Sequence, residues 1–400
     1  MGLSGKTTVA AALLATTAVL APAAVVVPAE AATPSASAGL DGSGGHAAVQ
    51  RALDAAVAAG VPGATVEVRE GRNVWRGTSG VADLGSGRQV KAGDRFRAGS
   101  VTKSFVATVV LQLVAEGKAG LDDPIERHLP GLIPAGKHGE RVTVRQLLHH
   151  TSGLPDYLTE VLIKEDRDAL RTLRTARYTP RELVAKAVDK AVKTGWNFDP
   201  DEPGKWGYSN TNYVVLGLLV ERLTGHDLGG EITRRIIRPL HLKDTSFPTS
   251  PQLPGAHMNG YEWLDGPTAA PTDLTEYSPA AIWATGTLIS TTHDLNTFYR
   301  GLADGKLLPP QMLREMRTMR AMDGDRPGRS YGLGLESNAN YCPQQEPVWG
   351  HSGSVAGYNT YSFMTADGRR QVTLALNRNL TKSTEADTAT RGIVSAALCG

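Results

Sequence analysis

The chain of 400 residues is poor in the features that most directly announce a function. It has two cysteines, Cys342 and Cys399, too few for a disulfide-built scaffold, and no Cys/His spacing that reads as a zinc site. Lys plus Arg total 42 and Asp plus Glu 40, leaving a net charge of +2. That balance gives no reason to expect nucleic acid or another polyanion as partner. Gly-x-Ser-x-Gly, His-Glu-x-x-His, a phosphate-binding loop and Gly-x-Gly-x-x-Gly are all missing, and there is no internal repeat. These absences remove the α/β-hydrolase nucleophile elbow, the commonest zinc peptidases and the usual nucleotide-binding folds. Past the first thirty residues the longest apolar run is Tyr213–Val220, too short to cross a bilayer. What remains, 41% hydrophobic and 20% charged, is ordinary globular usage.

The unusual stretch is at the N-terminus. A short polar lead with Lys6 precedes an Ala/Val/Leu/Thr run from Val9 to Val27, which ends in Ala29-Glu30-Ala31. A cationic lead, an apolar centre and a small-x-small end predict a secretory signal peptide over residues 1–31, with no stable membrane span after cleavage and a secreted, extracellular product. In an oxidising compartment two and only two cysteines are expected to pair, so Cys342 and Cys399 are predicted to form one disulfide. Residues 32–45 read as a flexible leader.

In the mature chain the periodicities predict a helix over His46–Ala59, strands at Ala64–Arg69 and Asn73–Ser79, and an apolar helix over Val101–Glu116. Further helices are expected at Arg181–Val192, Asn212–Leu223 and Glu231–Leu240. Strands follow at Gly332–Leu335, Tyr358–Met364 and Gln371–Asn377, then a last helix from about Glu385. Strands at both ends with helices between predict an α/β (α+β) fold. Its antiparallel sheet would be flanked by helices and built from residues 46–125 and 281–400, with a mostly helical domain over 126–280 inserted.

Three short motifs carry the chemistry. Ser100-Val101-Thr102-Lys103 opens the apolar helix, so serine and lysine share one helix side, with the hydroxyl at the helix N-terminus. A lysine in a partly desolvated pocket can lose its proton and serve as base for that serine. Tyr208-Ser209-Asn210 precedes another helix; the tyrosine could relay a proton to a leaving group, and the asparagine could orient Lys103 and a substrate carbonyl. Two candidates compete for the third place. Lys193-Thr194-Gly195 comes before the tyrosine motif and is better explained as a helix C-terminus. His351-Ser352-Gly353 follows it, between strand-like segments. There the histidine could hold a substrate carboxylate, and the Ser354 N–H could complete an oxyanion hole with that of Ser100.

With Ser100-x-x-Lys103, Tyr208-x-Asn210 and His351-x-Gly353 in that order, the chain resembles the serine β-lactamase-like, penicillin-recognising family. The flanks Phe96-Arg97-Ala98-Gly99, Leu147-Leu148-His149-His150-Thr151-Ser152-Gly153-Leu154 and Thr211-Asn212-Tyr213 strengthen the likeness, which runs from about His46 to the C-terminus. It is most similar to secreted D-alanyl-D-alanine carboxypeptidases. The resemblance implies a β-lactamase/transpeptidase-like fold and no metal or organic cofactor. It makes Ser100, Lys103 and Tyr208 catalytic, with Asn210, His351, Ser352 and Gly353 binding substrate. Peptidoglycan-type D-peptides and β-lactams would acylate the serine. His149 and His150 read as packing around a turn. One residue departs from the pattern. After Tyr331-Gly332-Leu333-Gly334-Leu335 an arginine is expected to grip the substrate's terminal carboxylate, and Glu336 stands there instead. A D-specific endopeptidase, aminopeptidase or amidase, an esterase or a β-lactamase therefore stays open. A non-catalytic binding module is the reading from another class, disfavoured by the intact nucleophile and base.

Overall fold

The computed structural model describes residues 43–134, 139–161, 173–200, 202–266, 268–322, 326–379 and 384–399. The expected signal peptide, and the leader up to residue 42, lie outside the described residues. Helix α1 (Ser43–Ala58) leads into a hairpin of β1 (Gly63–Glu70) and β2 (Asn73–Asp83). The other strands of the main sheet are β3 (Arg88–Gln89), β4 (Arg320–Ala321), β5 (Arg329–Tyr331), β6 (Glu336–Asn338), β7 (Val348–Val355), β8 (Tyr358–Met364) and β9 (Arg370–Leu376). Their order is β3-β2-β1-β9-β8-β7-β6-β5-β4, and every pairing is antiparallel. The sheet is thus closed at its centre by β1 against β9, one strand from each end of the chain. The α/β fold with a large antiparallel sheet is the one expected.

Both faces of β1 are covered, and its alternating side chains serve different layers. Val66 and Val68 join Val49 and Leu53 of α1, Leu374 and Leu376 of β9, and Ile393 and Val394 of the last helix in one apolar cluster. Thr65 and Glu67 are buried towards the opposite face, where Asn296 donates to Glu67 Oε1 at 3.2 Å. Asn296 belongs to a helix over Thr292–Ala303. The Glu67 carboxylate is held at about 2 despite burial, which pushes it up, by His293, Arg69 and Asn296.

Helix α2 (Thr102–Ala115) is apolar on nearly every side, and Phe105, Val106, Val109, Val110, Leu111 and Leu113 are all buried. Such a helix has no solvent face and must lie inside the body. It packs against α3 (Asn210–Thr224), whose Tyr213–Val220 run is equally buried. Each large apolar side chain buried there contributes roughly 1.5–3 kcal/mol. This fixed helix carries the nucleophile motif at its start.

Two expected elements differ. Gly332–Leu335 is not a strand but the turn joining β5 to β6, closed by Gly332 N donating to Leu335 O at 2.8 Å. Leu333 and Leu335 are fully buried, which gives the stretch a strand-like alternation, but Gly334 sits at φ +80 and bends the chain back. The helix expected at Glu231–Leu240 is α-helical only over Leu228–Ile232, then widens at Thr233–Ile237, where Arg238 N donates to Thr233 O at 2.9 Å. Buried Glu231 accepts from Arg234 and Arg235 there. Lys193-Thr194-Gly195 ends the helix Pro180–Thr194, Gly195 having φ +86, in agreement with its reading as a helix stop.

Cys342 and Cys399 are joined in a disulfide, with a Cα–Cα distance of 5.5 Å. It ties the loop after β6 to the end of the last helix, α4 (Thr384–Cys399). Among the described residues no helix is long and apolar enough to cross a membrane.

Candidate active site

Ser100 lies in a tight turn, Gly99–Val101, that feeds directly into α2. Gly99 has φ +55, a left-handed conformation that favours glycine. One turn on, Lys103 is fully buried, its Nζ 2.9 Å from Ser100 Oγ and donating to Thr285 O at 2.8 Å. Burial brings the lysine down to about 7, against the opposing pull of Asp156 and Glu336. An ammonium without a contacting carboxylate is costly in a dry site, so the amine gives up its proton easily. The Tyr208 hydroxyl donates to Ser100 Oγ at 3.0 Å. Burial raises Tyr208 well above the ordinary phenol range, so it stays protonated at neutral pH.

The two motifs meet through the packing of α2 on α3. Tyr208 is backed by His150, whose ring lies 4.3 Å from the tyrosine ring. His150 adopts φ +62 at the end of the short helix Val144–His149. Its Nδ1 faces two donors, Ser209 N at 3.2 Å and Asn212 Nδ2 at 3.1 Å, so the ring proton sits on Nε2. Burial pushes His150 well below its usual value, and it acts as neutral packing.

The third motif approaches along the open edge of β7. Strand β6 pairs with β7 only at Val348–Gly350, and past that point the edge faces the Ser100 turn. The approach is so close that a Cβ on Gly353 would lie 2.0 Å from Ala98 O, and one on Gly99 3.0 Å from Ser354 N. The Ser354 amide thus stands beside the serine turn. Ser100, Tyr208, Asn210, Ser352, Gly353 and Ser354 share the wall of one cleft of about 980 Å³.

Two expectations about this cleft change. His351 does not reach it: the ring is fully buried, with Nε2 2.9 Å from Tyr331 OH and Nδ1 facing Ser352 O. A carbonyl only accepts, so Nδ1 carries the proton and Nε2 accepts from Tyr331. Strand alternation explains the displacement, since Ser352 and not His351 points to the cleft. The Asn210 amide does not hold Lys103 either. It donates to Asp156 Oδ2 at 2.8 Å, and the backbone carbonyl of Thr285 anchors the lysine.

Glu336 is in the cleft wall as the motif spacing implied. It accepts from Ser352 Oγ at 2.8 Å and from Arg329 at 2.9 Å, with His351 Nδ1 3.5 Å away. Burial would raise it, but His351, Arg329 and Ser352 outweigh burial and keep it ionised. Thr285, Asp156, Arg329 and Tyr331 were not singled out from sequence. Thr285 acts on Lys103 through its main chain, which leaves no residue-type signal; Tyr331 stood in the quoted Tyr-Gly-Leu-Gly-Leu stretch. Among the described residues no cluster of three or more metal-ligating side chains occurs.

A fold with a central antiparallel sheet, and a serine–lysine–tyrosine cluster at the start of a buried helix, define an acyl-serine hydrolase framework. The Beta-lactamase family profile matches residues 49–396, and the chain belongs to that family. Among solved structures it is similar to a D-stereospecific amidohydrolase from Streptomyces sp., 39% identical, covering 86% of this chain and 98% of that one, with a TM-score of 0.76. It is also similar to a D-amino acid amidase from Ochrobactrum anthropi SV3, 27% identical over 88% of this chain and 98% of that one, TM-score 0.76. Penicillin-binding protein 4* of Bacillus subtilis (strain 168) is 27% identical over 78% of this chain and 68% of its own length.

Proposed function

We propose that the protein is an exported serine hydrolase that cleaves amides or peptides of D-amino acids through an acyl-enzyme on Ser100, without requiring a free carboxylate on the leaving side. The carrying observation is Glu336, an ionised carboxylate in the cleft wall whose cation, Arg329, is already paired with it. A substrate ending in a carboxylate meets like charge there, at a cost on the order of a kcal/mol or more. The likeness to a D-stereospecific amidohydrolase supports the same reading.

In the proposed cycle the neutral Lys103 amine takes the Ser100 proton as Oγ attacks the substrate carbonyl. The N–H groups of Ser100 and Ser354 receive the oxyanion. Tyr208, kept protonated by burial, hands its proton to the departing nitrogen and regains one from Lys103. Water then enters by the reverse path and frees the acid, restoring Ser100.

A second reading, D-alanyl-D-alanine carboxypeptidase acting on peptidoglycan peptides, is favoured by Arg326. Arg326 lines the cleft and makes no ion pair among the described residues, so its guanidinium could meet a terminal carboxylate. Both readings make β-lactams acylating ligands of Ser100. The test compares acyl-D-Ala-D-Ala with the same peptide as its C-terminal amide, using the intact protein and Ser100→Ala. The amide should be cut at least as well as the acid, and only by the intact protein. Release of D-alanine from the acid alone would sink the first reading in favour of the second.

A further inference from the structure

Tyr208 stands in a stretch without regular structure, two residues before α3 begins, so neither helix nor strand fixes it. The main-chain N–H groups on both sides of it end on one residue. Gly207 N donates to His150 O at 3.0 Å, and Ser209 N donates to His150 Nδ1 at 3.2 Å. The imidazole also lies against the tyrosine ring, with centroids 4.3 Å apart. His150 is in turn set from behind. Ser152 Oγ donates to Asn212 Oδ1 at 2.6 Å, which turns the Asn212 Nδ2 donor to His150 Nδ1 at 3.1 Å. A main-chain N–H can only donate, so Nδ1 must accept, and only the neutral ring with its proton on Nε2 does so. The backbone shows what holding a histidine here requires. His150 closes the helix Val144–His149 at φ +62, where glycine is the ordinary occupant. With His241 it is one of two non-glycine residues at positive φ among the described residues, and such strain persists only where the surroundings impose it.

We infer that His150 is the positioning residue for the leaving-group proton: it clamps the main chain on both sides of Tyr208 and keeps the phenol hydroxyl on Ser100 Oγ, from where that proton reaches the departing nitrogen. Tyr208 gives the proton as the C–N bond breaks and takes one back from the Lys103 ammonium. Proton transfer falls steeply with misplacement, whereas a tyrosine that swings by a fraction of its width still fills its pocket. A leaving group that departs as a stable anion needs no such proton. His150 therefore matters for amides and much less for activated esters. The inference rests on the proposed role of Tyr208 as donor to the leaving nitrogen.

The experiment measures kcat/KM for D-alanine amide and for D-alanine p-nitrophenyl ester, which share one acyl group, and reads the amide-to-ester ratio. The proteins are the intact chain, Tyr208→Phe, His150→Phe and Asn212→Asp. His150→Phe keeps a ring against Tyr208 but gives Ser209 N no acceptor. Asn212→Asp changes almost no volume: a carboxylate only accepts, so it draws the ring proton to Nδ1 and takes the acceptor from Ser209 N in another way. A general acid is worth about 10²–10⁴-fold, so Tyr208→Phe should lower the ratio at least about 100-fold, and each of the other two at least about tenfold. Circular dichroism reports that each variant is folded. Equal losses on both substrates, or an unchanged ratio, in folded His150→Phe or Asn212→Asp overturn this inference alone, provided Tyr208→Phe lowers the ratio. An unchanged ratio in Tyr208→Phe, or no turnover of either substrate by the intact protein, overturns the proposed proton path and this inference with it.

Discussion

Gly353 offers a sharp test of how β7 is set against the Ser100 turn. A Cβ there would stand 2.0 Å from Ala98 O and 3.2 Å from Ser100 N. A carbon–oxygen contact relaxes at roughly 3.3 Å, so Gly353→Ala must part strand and turn by on the order of 1 Å. Neither side can yield cheaply. The obstacle is a backbone oxygen, and Ala98 is itself tied by its N–H to Leu288 O at 2.8 Å. The displacement therefore passes to the Ser354 N–H, a proposed oxyanion donor. Losing one such donor costs about 10²–10³ in kcat, or roughly 3–4 kcal/mol of transition-state stabilisation. The variant should acylate at least about 100-fold more slowly and lose about 1–3 kcal/mol of stability through overpacking. Gly392→Ala is the control: it lies within α4, and a Cβ there meets no atom within 4 Å. That change should leave activity intact and stabilise by up to about 1 kcal/mol. Single-turnover acylation with a chromogenic D-aminoacyl substrate, alongside thermal melts, measures both. A folded Gly353→Ala enzyme that acylates within about twofold of the parent would refute the reasoning.

Other consequences follow from the same geometry. In the proposed cycle the base is the neutral Lys103 amine, so kcat/KM should climb as pH rises through about 7, the value to which burial brings Lys103; a flat profile from pH 5 to 8 would exclude Lys103 as base. Lys103→Met should abolish turnover yet raise stability by up to a few kcal/mol, more at pH 6 than at pH 9. Unfolded lysine holds its proton up to about 10.5, so the burial cost is fully present below about 7 and fades as pH rises towards 10.5. Urea melts at the two pH values check the sign. Arg329→Met leaves the buried Glu336 carboxylate without its cation and should cost about 3–5 kcal/mol, most of it recovered by adding Glu336→Gln, as a double-mutant cycle in urea would show. Replacing Cys342 and Cys399 by serine should cost about 2–5 kcal/mol in the same melts.

The elements that periodicity places well are those with strong local causes. Helix α2 and α3 are long apolar runs, and β8 and β9 are β-branched and aromatic, so composition and tertiary demand agree. Gly332–Leu335 shows where this reasoning stops. Buried leucines alternating with glycines suit a strand or a turn equally, and only the pairing of β5 with β6 decides. Glu231 is similar: its ion pairs to Arg234 and Arg235 are legible as helical spacing, but the widened turn that follows is set by packing.

The candidate site divides along the same line. Ser100 with Lys103 and Tyr208 with Asn210 could be read as pairs, because each pair sits at the start of one helix and helix geometry is local. What lies between the pairs was not readable. A strand motif such as His351-Ser352-Gly353 leaves its phase open, and a one-residue change in phase exchanges the cleft-facing and buried members. Here the phase puts His351 behind the site with Tyr331, and gives the cleft Ser352. That choice in turn determines what Glu336 does. Ser352 Oγ and Arg329 both donate to it, so its charge is fixed in place and cannot swing aside to admit a carboxylate. Lys103 has no such partner, since its contacts are a hydroxyl and a carbonyl, and this is why buried Lys103 surrenders its proton while buried Glu336 keeps its charge.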